Sequence, residues 1–166
     1  MAEVPAKTAE ERLAAVGQAL DDYEKNASLP GLRSPGNEEE LNEYFTMDKE
    51  KIESFSSAQC GVVSFRLAQY ALYVQRLINR EKSHKLWAEA MLKEQLVPYN
   101  DSYGQYTKHE MKIELAAKEN SFIYKLKHMI RYAEQRIQRL DGLAFNIEFM
   151  SKVIMNMKYS KGKQNE

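Results

Sequence analysis

A chain of 166 residues has room for one domain and an appendage, and its 43% hydrophobic content, ten Tyr and eight Met supply a modest core. Only seven Gly and four Pro punctuate it, which argues for an all-α protein. Net charge is zero, yet residues 1–53 carry six Lys and Arg against thirteen Asp and Glu, a net of −7, leaving +7 for residues 54–166. An acidic arm on a basic body suits a body that binds polyanions, an arm that docks on it, or two solvated faces.

A single cysteine, Cys60, excludes an internal disulfide framework and points to a reducing, intracellular compartment. With no run of eighteen apolar residues and no signal-like h-region, neither a membrane span nor a secretion signal is expected.

Thr8-Ala9-Glu10-Glu11 forms a capping box, and Leu13, Val16, Leu20 and Tyr23 follow at helical spacing, so a first helix is predicted over residues 9 to about 25. The Pro- and Gly-containing stretch 29–37 is the clearest linker. Asn37 then caps Glu38-Glu39-Glu40, and Leu41, Tyr44 and Phe45 make a short apolar face. Residues 46–57 fit either a continuing helix or an irregular strap with Ile52 and Phe55 packed down.

A long helix is predicted over 58–96, where Val63, Leu67, Tyr70, Val74 and Leu77 step by 4, 3, 4 and 3. Glu81 and His84 interrupt its seam, amid Arg76, Arg80, Lys82 and Lys85, before Ala88 and Met91 resume it. Such a polar gap suggests solvent, a cavity or a charged ligand.

Residues 97–104 hold Pro98, Asn100, Asp101 and Gly104, a loop that reverses the chain. Residues 106–159 then read as one amphipathic helix whose seam is Phe122, Leu126, Met129, Ala133, Ile137, Leu140, Ala144, Ile147, Met150, Ile154 and Met157. The mean step is about 3.5 residues, the coiled-coil period. A rod of that length needs partner helices from its own chain or from copies. Residues from 158 onward are expected to fray. The expected architecture is therefore an all-α, long antiparallel helical hairpin with a coiled-coil-like seam, basic near its tip, oligomerising, with a short N-terminal helical arm. Its expected divisions are an acidic arm and linker (1–36), a binding and oligomerisation body (37–162) and a tail (163–166).

Catalytic chemistry finds little footing. Glu81 and His84 have the Glu-x-x-His spacing of di-iron bundles, but His109 and His128 lack the matching Glu, so no metal site is expected. Cys60 has no basic neighbour in sequence to activate it and reads as a small buried residue. No Gly-rich phosphate cradle is present, and neither catalytic residues nor a cofactor are expected.

More suggestive are basic residues interleaved with aromatics: Arg66, Tyr70, Tyr73, Arg76, Arg80, Lys82, Lys85 and Trp87 along the long helix, then Lys93, Tyr99, Tyr103, Tyr106, Lys108 and Lys112 around the tip. Cations can track phosphates while rings stack unpaired bases, as in sequence-tolerant single-strand binders.

Three stretches carry a family resemblance. Tyr106-Thr107-Lys108-His109-Glu110-Met111-Lys112 resembles a Y-x-K-x-E-M-K box; Leu92-Lys93-Glu94-Gln95-Leu96-Val97-Pro98-Tyr99 is similar to L-K-x-R-L-x-Y-Y; and Met47-Asp48-Lys49-Glu50-Lys51-Ile52-Glu53-Ser54 is similar to a D-x-x-x-L/I-x-E-[AS] strap. Phe145-Asn146-Ile147, with Lys158 and Gly162 after it, adds an F-x-I pattern. In this order and spacing they resemble the UvsY family of T4-like phage recombination mediators over residues 40–162, whereas the first 36 residues have no counterpart.

The resemblance implies a non-catalytic accessory of recombination in the host cytoplasm. It implies a homo-oligomeric ring, of six or seven copies, that binds single-stranded DNA. It also implies loading of a RecA-like phage recombinase onto strands covered by single-strand-binding protein. Lys93 matches the first base of the family's DNA-contacting pair, but Gln95 stands where the Arg would be. The expected DNA contacts are thus Arg76, Arg80, Lys82, Lys85, Lys93, Lys108 and Lys112, and the expected oligomerisation residues are Leu126, Met129, Ile137, Leu140, Ile147, Met150 and Ile154. The alternative is a helical adaptor or scaffold that binds only protein.

Overall fold

The computed structural model describes residues 7–29, 31–99 and 107–163. These residues are all-helical, with no strand among them: α1 (Ala9–Asn26), α2 (Glu38–Thr46), α3 (Lys49–Ser54), α4 (Ser57–Leu96, running into a 3-10 turn at Val97–Tyr99), α5 (His109–Glu119), α6 (Ser121–Leu140) and α7 (Leu143–Lys163). No helix among the described residues is long and apolar enough to cross a membrane.

Side chains that satisfy the first free N–H groups explain where the helices start. Thr8 and Glu11 form the full capping box of α1, with the Glu11 N–H donating to Thr8 Oγ1 at 3.2 Å and the Thr8 N–H donating to Glu11 Oε2 at 2.8 Å. Asn37 accepts from the Glu40 N–H to start α2, and Asp48 accepts from the Lys51 N–H to start α3, each at 2.7 Å. Ser56 and Gln59 repeat the reciprocal box at the head of α4, at 2.8 and 3.2 Å. Residues 46–57 thereby resolve into a short helix, with Ile52 and Phe55 half-buried against the core.

The single helix expected over 106–159 is instead three. Asn120 leaves the helical conformation (φ −128°, ψ 110°), and its side chain accepts from the N–H groups of Phe122 and Ile123 at 2.9 and 3.4 Å, so it closes α5 and caps α6. A second break falls at Gly142, whose φ of +70° costs glycine little and other residues more. Periodicity registered neither, because both breaks preserve the apolar phase. The tail departs from expectation in the other direction: α7 continues to Lys163 rather than fraying after 158. Of the loop expected over 97–104, Val97–Tyr99 form the 3-10 turn and residues 100–104 lie outside the described residues.

The chain forms two compact units. These cut it at other places than composition does, since one combines residues 1–31 with 79–139 and the other combines 32–78 with 140–166.

In the second of these, α7 runs antiparallel along the first half of α4. Ser57 Oγ donates to the Lys158 carbonyl at 3.4 Å, and buried Ser64 and Ser151 bond reciprocally, each hydroxyl reaching the other's carbonyl at 3.0 and 2.8 Å. Small residues at this contact let the backbones approach. A Cβ on Gly61 would sit 3.3 Å from Lys158 Nζ. Cys60, Val63, Leu67, Ala71, Val74 and Ile78 pack against Ala144, Ile147 and Ile154, with Tyr44, Met47, Ile52 and Phe55 of the α2–α3 segment closing over them. Arg66 ties the preceding linker to α4 by donating to the Pro35 carbonyl at 3.2 Å.

In the first unit, Ala88, Leu92 and Leu96 of α4 bury against Ala116 and Ala117 of α5, Ile123 and Leu126 of α6 and Ala9 of α1. Cys60, expected as a small buried residue, is fully buried.

Two substitutions check these assignments by urea denaturation. Leu67→Ala removes a fully buried side chain and should cost about 2–5 kcal/mol. Gly142→Ala forces a side chain into positive φ and should cost about 1–2 kcal/mol without changing helical content.

Candidate nucleic-acid interface

Six of the seven basic residues singled out for DNA (Arg80, Lys82, Lys85, Lys93, Lys108 and Lys112) belong to the unit built from α1, the second half of α4, α5 and α6; Arg76 belongs to the other. Their surroundings separate them into groups. Arg80 is held by α1, its Nη2 donating to both carboxylate oxygens of Asp21 at 2.7 and 2.9 Å. Lys85 lies 2.9 Å from Glu134 and 3.6 Å from Glu89, and the hydrogen bond to Glu134 raises its pKa. Lys82, Lys93 and Lys108 are exposed and have no carboxylate within ion-pair distance among the described residues. Arg76 and Lys112 are half-buried.

Lys93 borders an open cleft of about 540 Å³ between the end of α4 and the start of α5, with Leu92, Leu96, His109, Ile113 and Ile130 around it. Glu89, Glu110 and Glu134 share the cleft. Three carboxylates thus line it against the one lysine, Lys93, and the exposed Lys108 precedes the lining residue His109 in the chain. Gln95, in place of the Arg of the resembling motif, is half-buried.

The aromatics interleaved with these bases mostly serve the core instead. Tyr70 and Tyr73 pack on the Leu67 cluster, and Trp87 and Tyr99 on the Leu92 cluster. Tyr103 and Tyr106 lie outside the described residues. Burial on one side leaves the first four poorly placed to stack bases, a distinction that residue order along one helix does not carry.

The gap at Glu81 and His84 meets both charge and a cavity. Glu81 accepts from Arg136 Nε at 2.8 Å, and His84 Nδ1 lies 3.9 Å from Glu81. His84 also faces a cavity of about 410 Å³ lined by Leu13, Gly17, Asp21, Arg80 and Met129. Among the described residues no group of three His, Cys, Asp or Glu could hold a metal ion.

α1 rests over this cavity on few contacts. Ala9 is its one buried residue among those described, and Tyr23 is 69% exposed. Charge supplies much of the remaining attachment: Asp21 to Arg80, Glu10 to Lys125 at 3.2 Å, and the Arg12 guanidinium 5.0 Å above the Phe122 ring. The −7/+7 split was the sequence signal for this docking, though it named neither partner.

The expected oligomerisation residues fall into the chain's own cores. Leu126, Ile147 and Ile154 are buried there, Met129, Leu140 and Met150 pack against them, and Ile137 is half-buried. The apolar side chains left outside are others: Phe145 and Phe149 on α7 are 69% and 58% exposed, and Leu72 on α4 is 69% exposed.

Comparison with protein-family models, curated proteins and solved structures finds no match to this chain.

Exposed ion pairs are weak and screened by salt, so α1 should be the first element of its unit to open. Glu10→Gln combined with Asp21→Asn should speed amide exchange in α1 by several-fold and leave α6 unchanged, as read by hydrogen–deuterium exchange. The Glu10 pKa is lowered by a backbone hydrogen bond and, secondarily, by Lys125. Its contribution is therefore present above the usual carboxylate range and lost as pH falls through the lowered value, so the protection of α1, after correction for the intrinsic exchange rate at each pH, should also fall in acid.

Proposed function

We propose that this chain is a non-catalytic recombination mediator. It binds single-stranded DNA as a homo-oligomeric ring and helps load a RecA-like phage recombinase onto strands covered by single-strand-binding protein, in the cytoplasm of the infected host. The observation that carries the reading is where the three resembling stretches fall. The strap lies on α3 before the long helix, L-K-x-x-L closes α4, and K-x-E-M-K opens α5, with the exposed lysines Lys93 and Lys108 at the last two places.

Weak phosphate contacts become a firm grip when several copies act together. In this reading the copies meet through apolar side chains that the chain itself leaves uncovered. Phe145 and Phe149 form a ridge on α7. Phe145 borders a hollow of about 490 Å³ lined also by Ala68, Ala71, Leu72 and Ala144, with Gln75 and Glu148 as its polar members. The same surface favours the second reading, a protein-only adaptor, because it would serve any apolar partner.

Fluorescence anisotropy with a labelled oligonucleotide separates the two. The mediator should bind single strands with a log–log salt slope of about −0.7 per phosphate contacted. Lys93→Ala with Lys108→Ala should weaken binding several-fold with helical content intact. Absence of binding at low salt would leave the adaptor reading. Asp21→Asn frees Arg80 and should tighten binding at low salt; unchanged affinity would count against competition between α1 and DNA. For assembly, Phe145→Asp with Phe149→Asp should lower the native mass without unfolding the chain, whereas Ile147→Asp would break the core and report on folding only.

A further inference from the structure

The outward face of α6 carries an arrangement that none of the preceding assignments uses. Tyr124, His128 and Tyr132 follow one another at four-residue spacing, and their rings form a ladder. The Tyr124 and His128 centroids are 4.3 Å apart with planes tilted by 54°, and those of His128 and Tyr132 are 6.0 Å apart with planes tilted by 39°. The two tyrosines are 52% and 53% exposed. At 1.5 Å per residue they stand about 12 Å apart along the axis. This stripe lies opposite Ile123, Leu126 and Ala133, which bury α6, so the rings are not part of that core.

On α6 itself the charges are nearly all of one sign, and glutamates of neighbouring elements stand against some of them. α6 contains Lys125, Lys127, Arg131, Arg136 and Arg139 against a single carboxylate, Glu134, which is bound by Lys85. Lys125, Lys127 and Arg136 face Glu10, Glu114 and Glu81. Arg131 and Arg139 are exposed and have no ion-pair partner among the described residues. Gln135 and Gln138 complete the stripe, and no aliphatic side chain lies on it. A protein partner would find little to bury here. A polyanion with flat, unpaired faces would find both cations and rings.

We infer that this face is a second strand-contact surface, on which unpaired bases stack against Tyr124 and Tyr132 while Arg131 and Arg139 hold the flanking phosphates. The inference rests on the single-strand-binding reading and adds to it a site separate from Lys93 and Lys108. Stacking of this kind tolerates any sequence, because every base has a π-face, and it requires single strands, because a duplex hides those faces. His128 is a positioning residue that packs between the two tyrosine rings and steadies both.

The test uses the full chain with a labelled oligothymidine and, separately, a duplex of equal length. Tyr124→Ala with Tyr132→Ala should lower single-strand affinity by about tenfold per ring with an unaltered salt slope, and should leave duplex affinity unchanged. Tyr124→Phe with Tyr132→Phe should restore binding, which guards against a folding artefact. Arg131→Ala with Arg139→Ala should flatten the salt slope by about 0.7 per phosphate lost. Photo-crosslinking of an iodouracil strand should label Tyr124 or Tyr132. Single-strand binding that survives the double Ala substitution, or that falls no more than duplex binding, overturns this surface alone. If the unaltered protein binds neither strand form, the mediator reading itself fails.

Discussion

α4 contributes apolar residues to both compact units, and each unit covers its own share of them. Over Cys60–Ile78 the cover is α7 with the α2–α3 segment; over Ala88–Leu96 it is α1, α5 and α6. Close approach in the former section depends on small side chains on both helices. There the reciprocal Ser64–Ser151 pair satisfies two buried hydroxyls that would otherwise weaken the contact. The breaks at Asn120 and Gly142 have local causes, the Asn120 side chain capping α6 and Gly142 taking a positive φ.

Electrostatics decides which cations remain for a ligand. Arg80, Lys85, Lys125, Lys127 and Arg136 already face carboxylates of their own unit, while Lys82, Lys93, Lys108, Arg131 and Arg139 do not among the described residues. Exposed pairs contribute only about 0–1 kcal/mol each, so a polymer presenting many phosphates can compete with Asp21 or Glu10 where one phosphate would not. α1 thus sets two of its carboxylates, Asp21 and Glu10, against Arg80 and Lys125 of its own unit.

Sequence pattern found α1, α2 and α4, left α3 open and merged α5, α6 and α7 into one helix. Capping residues Thr8 and Asn37 are local signals and can be seen in the sequence, whereas Asp48 was not read as a cap; the polar gap at Glu81 and His84 left solvent, a cavity and a charged ligand open, and the structure places a cavity and the chain's own Arg136 there. Asn120 and Gly142 were overlooked because each break keeps the apolar residues in phase, so Leu126 and Ile147 remain on one mean period of about 3.5 although separate helices carry them. The same regularity made the seam look like a surface between copies, when the partner that buries it lies in the same chain.

By itself, then, the sequence determined the all-helical class, the starts of α1, α2 and α4 and the charge asymmetry, since these depend on residues within a few positions of one another. Only the tertiary structure decided which aromatics are core and which are exposed, which cations are already paired, and which apolar face is left uncovered. Those are properties of contacts between distant segments, such as Asp21 with Arg80 or Ser64 with Ser151, and no local period encodes which helix will lie against which.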